Sequence, residues 1–166
     1  MIENVLNHEG LFDDVVVDSV LNSVTQKKYQ EYIIQLSNAF IKNGGHLFIS
    51  SRSAEFHHRR LENNQVDHGG GKVYSIDDDN FTVSYRGGLP FFQKFDYKQD
   101  IIDLAIKNGF KLINEFEHTS FYLEFEKISD CDYESAINEE FSLPKASGGN
   151  YDFASDILTF IKKNSH

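Results

Sequence analysis

Residues 14–21 read DVVVDSVL, and this stretch decides the fold. Its β-branched residues follow one another without alternation, which is typical of a strand buried on both faces in a parallel sheet covered by helices. Thr25 can cap a following helix, and Gly44-Gly45 can end it. The apolar positions of that helix recur at helical spacing and are Tyr29, Ile33, Leu36 and Phe40. A second apolar run at residues 46–51 completes strand, helix and strand, which predicts a right-handed βαβ unit with a parallel pair.

The rest of the chain predicts antiparallel strands and more helices. Residues 54–72 are polar and predict a partly ordered excursion with one helical turn, and residues 72–85 predict a hairpin. Further helices are expected at 100–108, 133–141 and 153–163, with a closing antiparallel pair from Phe110 and 121–126. We therefore expect one α/β domain: a mixed sheet, its parallel βαβ unit followed by antiparallel strands, with helices on both faces. Its core spans 12–128, and a helical extension spans 129–166.

The composition limits the classes of function. There are 16 Lys and Arg against 26 Asp and Glu, a formal net charge of -10, which argues against non-specific binding of nucleic acid. The lone Cys131 allows no internal disulfide, which fits a reducing cytoplasm. The first residues show no signal-peptide pattern, and no apolar stretch has a membrane-spanning length. These features predict a soluble, acidic, cytoplasmic domain.

The order of elements resembles a known fold. Residues 12–22, 40–49 and 103–110 are similar to the fourth strand, the fifth strand with its preceding glycine pair, and the penultimate strand's helix in class I S-adenosylmethionine-dependent methyltransferases. The resemblance covers the second half of that fold. The segments 21–24, 50–52, 91–95 and 143–151 more narrowly resemble methyltransferase domains fused to ParB-like nucleases. The resemblance implies S-adenosylmethionine as the cofactor.

Two cofactor-binding motifs of that family have no counterpart in this sequence. The family grips its cofactor with a glycine-rich loop after its first strand and an acidic residue after its second. Gly69-Gly70-Gly71 follows polar residues rather than a strand, and Val73 stands where a phosphate loop needs Ser or Thr. The strand at 15–20 would then expose an edge. We expect a second copy, a separate N-terminal chain or this chain's terminal helices to cover it.

The resemblance and the sheet geometry together indicate candidate cofactor-binding residues. Asp18, Ser19 and Asn22 follow the first strand, and ligands of open α/β sheets bind outside the carboxyl ends of the strands. In the family the matching loop passes beneath the methyl donor. The alternative interpretation is that Asp18 and Ser19 end a strand and Asn22 turns the chain.

Three residues are candidates for binding the substrate. Ser51 and Arg52 end the second strand, where an arginine can meet an acceptor or a carboxylate, or form a surface ion pair. Gln93 lies among phenylalanines, and the similar glutamine segment of the narrower family lies near the active-site face. The alternative is that Gln93 points outward from a strand or turn while its Phe neighbours form core.

Other groups are weak candidates for chemistry. The basic run 57–60 could contact a phosphate-bearing substrate or, with His68, a metal, but its spacing fits no zinc site, and a solvated loop is expected. Residues 77–79 lack a calcium-loop pattern and predict a hairpin tip. The carboxylates beside Cys131 should raise its pKa and suppress the thiolate. We therefore expect no metal site and identify no catalytic residue.

The leading functional hypothesis is methyl transfer from S-adenosylmethionine, completed by another cofactor-binding half. A non-catalytic methyltransferase-like partner or regulatory subunit and an acidic protein-interaction module are the alternatives. The methyl acceptor stays open, and nucleic acid enters only as a possible substrate. No membrane partner is expected.

Overall fold

The computed structural model describes residues 2–62, 67–68, 71–72, 74–75, 80–86, 89–142 and 152–165. Its helices are α1 (Ile2–Leu6), α2 (Lys27–Phe40), α3 (Ala54–Glu62), α4 (Lys98–Lys107), α5 (Glu134–Glu140) and α6 (Ala154–Asn164), and a 3-10 turn spans Leu21–Ser23. Its strands are β1 (Phe12–Asp18), β2 (Ile41–Arg52), β3 (Asp67–His68), β4 (Gly71–Lys72), β5 (Tyr74–Ser75), β6 (Asn80–Arg86), β7 (Leu89–Lys94), β8 (Phe110–Glu117) and β9 (Ser120–Lys127).

The main sheet has four strands in the order β1-β2-β9-β8. β1 and β2 are parallel, with Val15 opposite Leu47, and β9 runs antiparallel to both β2 and β8. The predicted mixed sheet with its parallel βαβ unit is therefore confirmed. β1 is an edge strand of this sheet, as expected.

A second, three-stranded sheet has the order β5-β6-β7, and β3 pairs with β4. Tyr74 lies opposite Thr82, which confirms the predicted hairpin, while its tip at 77–79 lies outside the described residues. The expected excursion begins instead with a nine-residue helix, α3. Residues 89–94 form a further strand, β7, which pairs antiparallel with β6.

The helix α2 begins and ends differently from the prediction. It starts after Gln26 with no side-chain cap, so Thr25 is not its cap, and β2 begins directly at Ile41. The buried ammonium group of Lys127 donates to the carbonyl oxygens of Asn38 (2.8 Å) and Ile41 (2.9 Å), which satisfies carbonyls that a glycine turn would otherwise have to satisfy. Gly45 does not end the helix but lies within β2. A Cβ at this position would collide with the carbonyl oxygen of Asp13 on β1, so only glycine lets the two strands approach here.

The two faces of the main sheet are covered differently. α2 and α4 both pack on one face, here called the core face. It carries alternate residues of the strands: Val17, Leu47, Ile49, Phe121, Leu123 and Phe125. On the other face, here called the open face, Val16, Phe116 and Tyr122 are 68%, 64% and 54% exposed. The expectation of helices on both faces thus holds for one face in the described part of the chain. β1 is not buried on both faces, because Val17 is its one buried residue.

A second apolar cluster lies on the outer side of α2. There Leu36 and Phe40 of α2 meet α1, α5 and α6, which contribute mainly Val5, Ile137, Ile157, Phe160 and Ile161. The helix α2 is therefore held between the sheet and the carboxyl-terminal helices. None of the helices in the described ranges is long and apolar enough to cross a membrane.

Candidate functional site

The carboxyl ends of β1 and β2 lie side by side and bring three polar residues together. The Ser50 hydroxyl donates to Asp18 Oδ1, and the Ser19 amide donates to the carbonyl oxygen and to Oγ of Ser50, each at 3.1 Å. The Ser19 hydroxyl donates to Asp18 Oδ1 at 3.2 Å. The predicted pair Asp18 and Ser19 is thus joined by Ser50, which the sequence analysis missed because only the parallel register places it there.

Ser19 has an unusual backbone conformation. Its φ is 56°, and it is the only residue other than glycine with a positive φ in the part of the chain that the structure describes. A serine in this left-handed region is strained, and such strain concentrates at functional sites. The turn it makes directs the chain into the 3-10 turn, where Leu21 and Asn22 are buried.

Asn22 is the one candidate with an unfilled hydrogen-bonding group. The residue is 3% exposed, and its side-chain oxygen Oδ1 is buried with no hydrogen-bond partner among the described residues. Buried polar atoms are nearly always paired, because an unpaired one loses its hydration without compensation. Because the oxygen is buried, an N–H or O–H donor from another molecule would pair with it only where the turn at Leu21–Ser23 opens.

A second polar cluster near the same edge is complete, and Asp96 is its centre. One carboxylate oxygen of Asp96 accepts the Ser51 hydroxyl at 2.6 Å, and the other accepts the Gln30 amide at 2.8 Å. Lys94 Nζ lies 3.4 Å from Asp96 and donates to Gln30 Oε1 at 3.0 Å. Gln30 also donates to the Leu21 carbonyl oxygen at 3.1 Å, which ties this network to the turn that carries Asn22.

The structure distributes the three predicted substrate residues over different surroundings. Ser51 is fully buried and bonded to Asp96, so its hydroxyl is already committed within the fold. Arg52 is half-buried at the end of β2, and its carbonyl oxygen accepts the Asp96 amide at 3.0 Å. Gln93 lies on β7 and is buried, so the alternative of an outward-pointing glutamine is wrong. The signal that could have found Asp96 is a charged residue directly after the apolar Phe95.

The weaker candidates show no catalytic arrangement in the part of the chain that the structure describes. His57 is not part of a solvated basic loop: it lies on α3, is buried, and stacks on Phe95 with ring centroids 3.8 Å apart. Burial raises the pKa of the Cys131 thiol to about 11, with smaller contributions from Asp130 and Asp132, which makes it a poor nucleophile. Across the described ranges, no three His, Cys, Asp or Glu side chains are grouped closely enough to hold a metal ion.

Two depressions flank these clusters. One of about 540 Å³ lies between α2 and α4, and Gln30, Lys94 and Asp96 form part of its wall. Two ion pairs lie on its surface, Lys27 with Asp100 and Lys107 with Glu31. The other, of about 270 Å³, lies on the open face and reaches Asp18 and Ser50 at the carboxyl edge. The open-face depression therefore reaches Asp18, the residue before the strained Ser19.

Solved structures share this arrangement of strands and helices. A SAM-dependent methyltransferase from Methanosarcina mazei is 18% identical, with a TM-score of 0.55 over 74% of this chain and 62% of that one. The PH0226 protein from Pyrococcus horikoshii OT3 is 13% identical, with a TM-score of 0.54 over 73% of this chain and 54% of that one. A methyltransferase of the same cofactor dependence from Clostridium acetobutylicum ATCC 824 is 10% identical, with a TM-score of 0.50 over 75% and 63%. No protein-family model and no curated protein matches the sequence.

These likenesses concern the fold, since the identities are low. The chain spans between 54% and 63% of the length of these three structures. The resemblance drawn from residues 12–22, 40–49 and 103–110 is confirmed at the level of the fold.

Proposed function

Because the chain has the fold of class I S-adenosylmethionine-dependent methyltransferases over about 75% of its length, we propose that it supplies part of a methyl-transfer site. In this proposal the site lies at the carboxyl ends of β1 and β2. Another polypeptide segment pairs with the outer edge of β1 and holds most of the cofactor. The observation that carries the proposal is the unpaired oxygen of Asn22, which is buried three residues after the strained Ser19.

The residues at this edge fit the proposed ligand. Bound S-adenosylmethionine supplies an activated methyl group. Asp18 and Ser19 offer a carboxylate and a hydroxyl at the strand end, and Asn22 Oδ1 accepts an N–H or O–H from the cofactor or the methyl acceptor. Methyl transfer depends chiefly on positioning, with a base needed only where the acceptor loses a proton. In this proposal the chain's own contribution is therefore to orient the methyl donor and the acceptor and to exclude water from them.

A non-catalytic partner is the second candidate, and the Asp96 network favours it. Ser51, Gln30 and Lys94 are all bonded within that network, so none of them is left over to bind a substrate. In this alternative the chain keeps the fold as a regulatory subunit. We also propose that a separate chain or a second copy covers the β1 edge and that the protein is cytoplasmic. The class of methyl acceptor stays open.

Amide chemical shifts during titration with S-adenosylhomocysteine, the demethylated product, test the proposal. Half of a site should bind weakly, with a dissociation constant near 1 mM, or about -4 kcal/mol. We expect the shifts to concentrate at residues 17–22 and 50–52. Asn22→Ala should remove them, and the matched variant Asn43→Ala, exposed at the other end of the sheet, should keep them. Shifts confined to another surface, or none at about 10 mM ligand, would overturn the proposal.

A further inference from the structure

The open face carries a diagonal apolar stripe that crosses all four strands of the main sheet. Val16 on β1 lies opposite Phe48 on β2, and Tyr122 on β9 lies opposite Phe116 on β8. The rings of Phe116 and Tyr122 are in contact, with centroids 6.3 Å apart. Three of these four side chains are more than half exposed. Contiguous exposed apolar surface of this kind marks an interaction site.

Carboxylates flank the stripe. By strand alternation, Asp14, Asp18, Glu124 and Glu126 share its face of the sheet. Asp14 and Glu124 are 58% and 29% exposed. The cations on this face stand at its margins: Lys111 on the far edge strand and Arg52 at the end of β2. His46 lies 3.8 Å from Asp14 and 3.9 Å from Glu124. The flanks are therefore acidic beside the apolar stripe, as in the whole chain with its net charge of -10.

This charge pattern argues against a second copy of the chain as the occupant. Two β1 edges paired antiparallel about Val16 would set Asp14 of one copy opposite Asp18 of the other, twice. Like charges directly opposite each other destabilise a strand pair. Two open faces brought together would likewise oppose their acidic flanks.

We propose that the open face binds an amphipathic helix whose apolar side is flanked by lysine and arginine, presented by the partner polypeptide that pairs with β1. A helix laid on a sheet buries an apolar stripe of about the width available here. Its flanking cations then meet the carboxylates, which gives orientation and specificity. The inference rests on the proposed function, in which β1 is completed by another polypeptide.

A pair of synthetic peptides tests the inference on the full chain without any cofactor. Both form helices of about five turns with the same leucine and phenylalanine stripe; one has lysine flanks and the other glutamate flanks. We expect the lysine peptide to bind at least about tenfold more tightly, and the difference to shrink at about 0.5 M salt. Equal affinities, or no binding of the lysine peptide at about 1 mM, would overturn the inference.

Matched variants locate the binding. Phe116→Ser should weaken the lysine peptide at least about tenfold. Ile106→Ser, at a side chain that is also more than half exposed but lies on α4, should leave its affinity unchanged. If Phe116→Ser does not fold, amide shifts in the wild-type chain decide instead: they must move at Val16, Phe48 and Tyr122, and shifts on α4 or α6 overturn the inference.

Two further readouts separate the possible explanations. Wild-type dimers in sedimentation that Phe116→Ser dissociates would assign the face to a second copy and overturn the inference. The peptide titration contains no cofactor, so failure of the S-adenosylhomocysteine titration leaves its result standing. Loss of peptide binding, in turn, does not affect ligand shifts at Asn22.

Discussion

One strand shows how differently the two faces of the main sheet are finished. Along β9, Phe121, Leu123 and Phe125 are buried under α2 and α4, while Tyr122 between them is 54% exposed. The alternation in sequence is regular, so the strand itself gives the core face only apolar side chains and gives the open face Tyr122, Glu124 and Glu126. Helices pack on the first of these faces and leave Tyr122 exposed on the second. The core face is complete within this chain, and the open face has the apolar content of an interface.

The largest expected change in unfolding free energy comes from truncating a phenylalanine on the core face, compared with the same change on the open face. Phe125→Ala removes a fully buried ring from the core face and should cost about 3–5 kcal/mol of unfolding free energy. Phe116→Ala removes an exposed ring from the open face and should cost less than about 0.5 kcal/mol. Urea unfolding followed by circular dichroism measures both. A cost for Phe116→Ala close to that of Phe125→Ala would mean that the open face is covered in the isolated chain.

The second effect compares a buried ion pair with an exposed one. Asp96→Ala leaves the Lys94 ammonium buried without its carboxylate and should cost about 3 kcal/mol or more. Adding Lys94→Met should restore part of that loss, since the uncompensated charge is removed. Asp100→Ala breaks the exposed pair with Lys27 and serves as the control, at less than about 1 kcal/mol. Equal costs for Asp96→Ala and Asp100→Ala would show that the Asp96 network is hydrated rather than closed.

A third, smaller effect on stability depends on pH and comes from the ion pair between Glu31 on α2 and Lys107 on α4. The hydrogen bond from Lys107 at 2.8 Å lowers the pKa of Glu31, and Asn108 at 3.3 Å adds to it. A lowered pKa stabilises the folded state above the unfolded value of about 4.3, and this stability is lost as the pH falls through the folded value. Glu31→Gln should therefore cost about 0.5 kcal/mol at pH 7 and less at about pH 3.

Unfolding midpoints at the two pH values give the measurement for Glu31. In a Lys107→Met background the pH-dependent difference between glutamate and glutamine should shrink to the smaller part that Asn108 supplies. A difference that does not shrink there would show that Lys107 is not the main cause of the lowered pKa.

The local pattern of residues was enough to predict most of the fold. The β-branched run within 14–18 and the apolar run at 46–51 each indicate a strand from a few consecutive residues. Together with the helix between them, they predicted a parallel pair. The alternation of Phe121, Leu123 and Phe125 predicted a strand with one core face. Helices were expected on both sides because the run Val15–Val17 does not alternate and is typical of a strand buried on both faces. In the structure Val16 is instead 68% exposed, and no helix in the described part of the chain covers it.

The parts that the sequence could not predict depend on distant residues. The carboxyl end of α2 is set by Lys127, which lies far along the chain, and nothing near Gly44 signals it. Ser50 and Asp96 join their clusters only through strand register and the path after β7. The candidate site was located by a rule about strand ends, so Asp18 and Ser19 were found together, but the closed network around Ser51 was not.

The smallest effect on stability is the most informative about function, and it compares two buried asparagines. Asn38 is fully satisfied: its amide donates to the carbonyl oxygens of Asn108 (2.8 Å) and Ser129 (2.9 Å), and its oxygen accepts the Cys131 amide at 3.3 Å. Asn38→Ala should therefore cost about 2–3 kcal/mol, since it leaves those partners unpaired. Asn22→Ala instead removes an oxygen with no partner in the described part of the chain. Its unfolding free energy should stay the same or rise by up to about 1 kcal/mol.

A buried, unpaired acceptor costs the folded chain stability, and in the proposed function a ligand at the end of β1 pairs it. Equilibrium unfolding of Asn22→Ala beside Asn38→Ala measures that cost directly. A loss at Asn22 as large as the loss at Asn38 would show that Oδ1 is paired within the folded chain, and the argument for a ligand at the end of β1 would fail with it. An unchanged or increased stability, together with the loss of S-adenosylhomocysteine shifts in the same variant, would separate the role of Asn22 in binding from any role in folding.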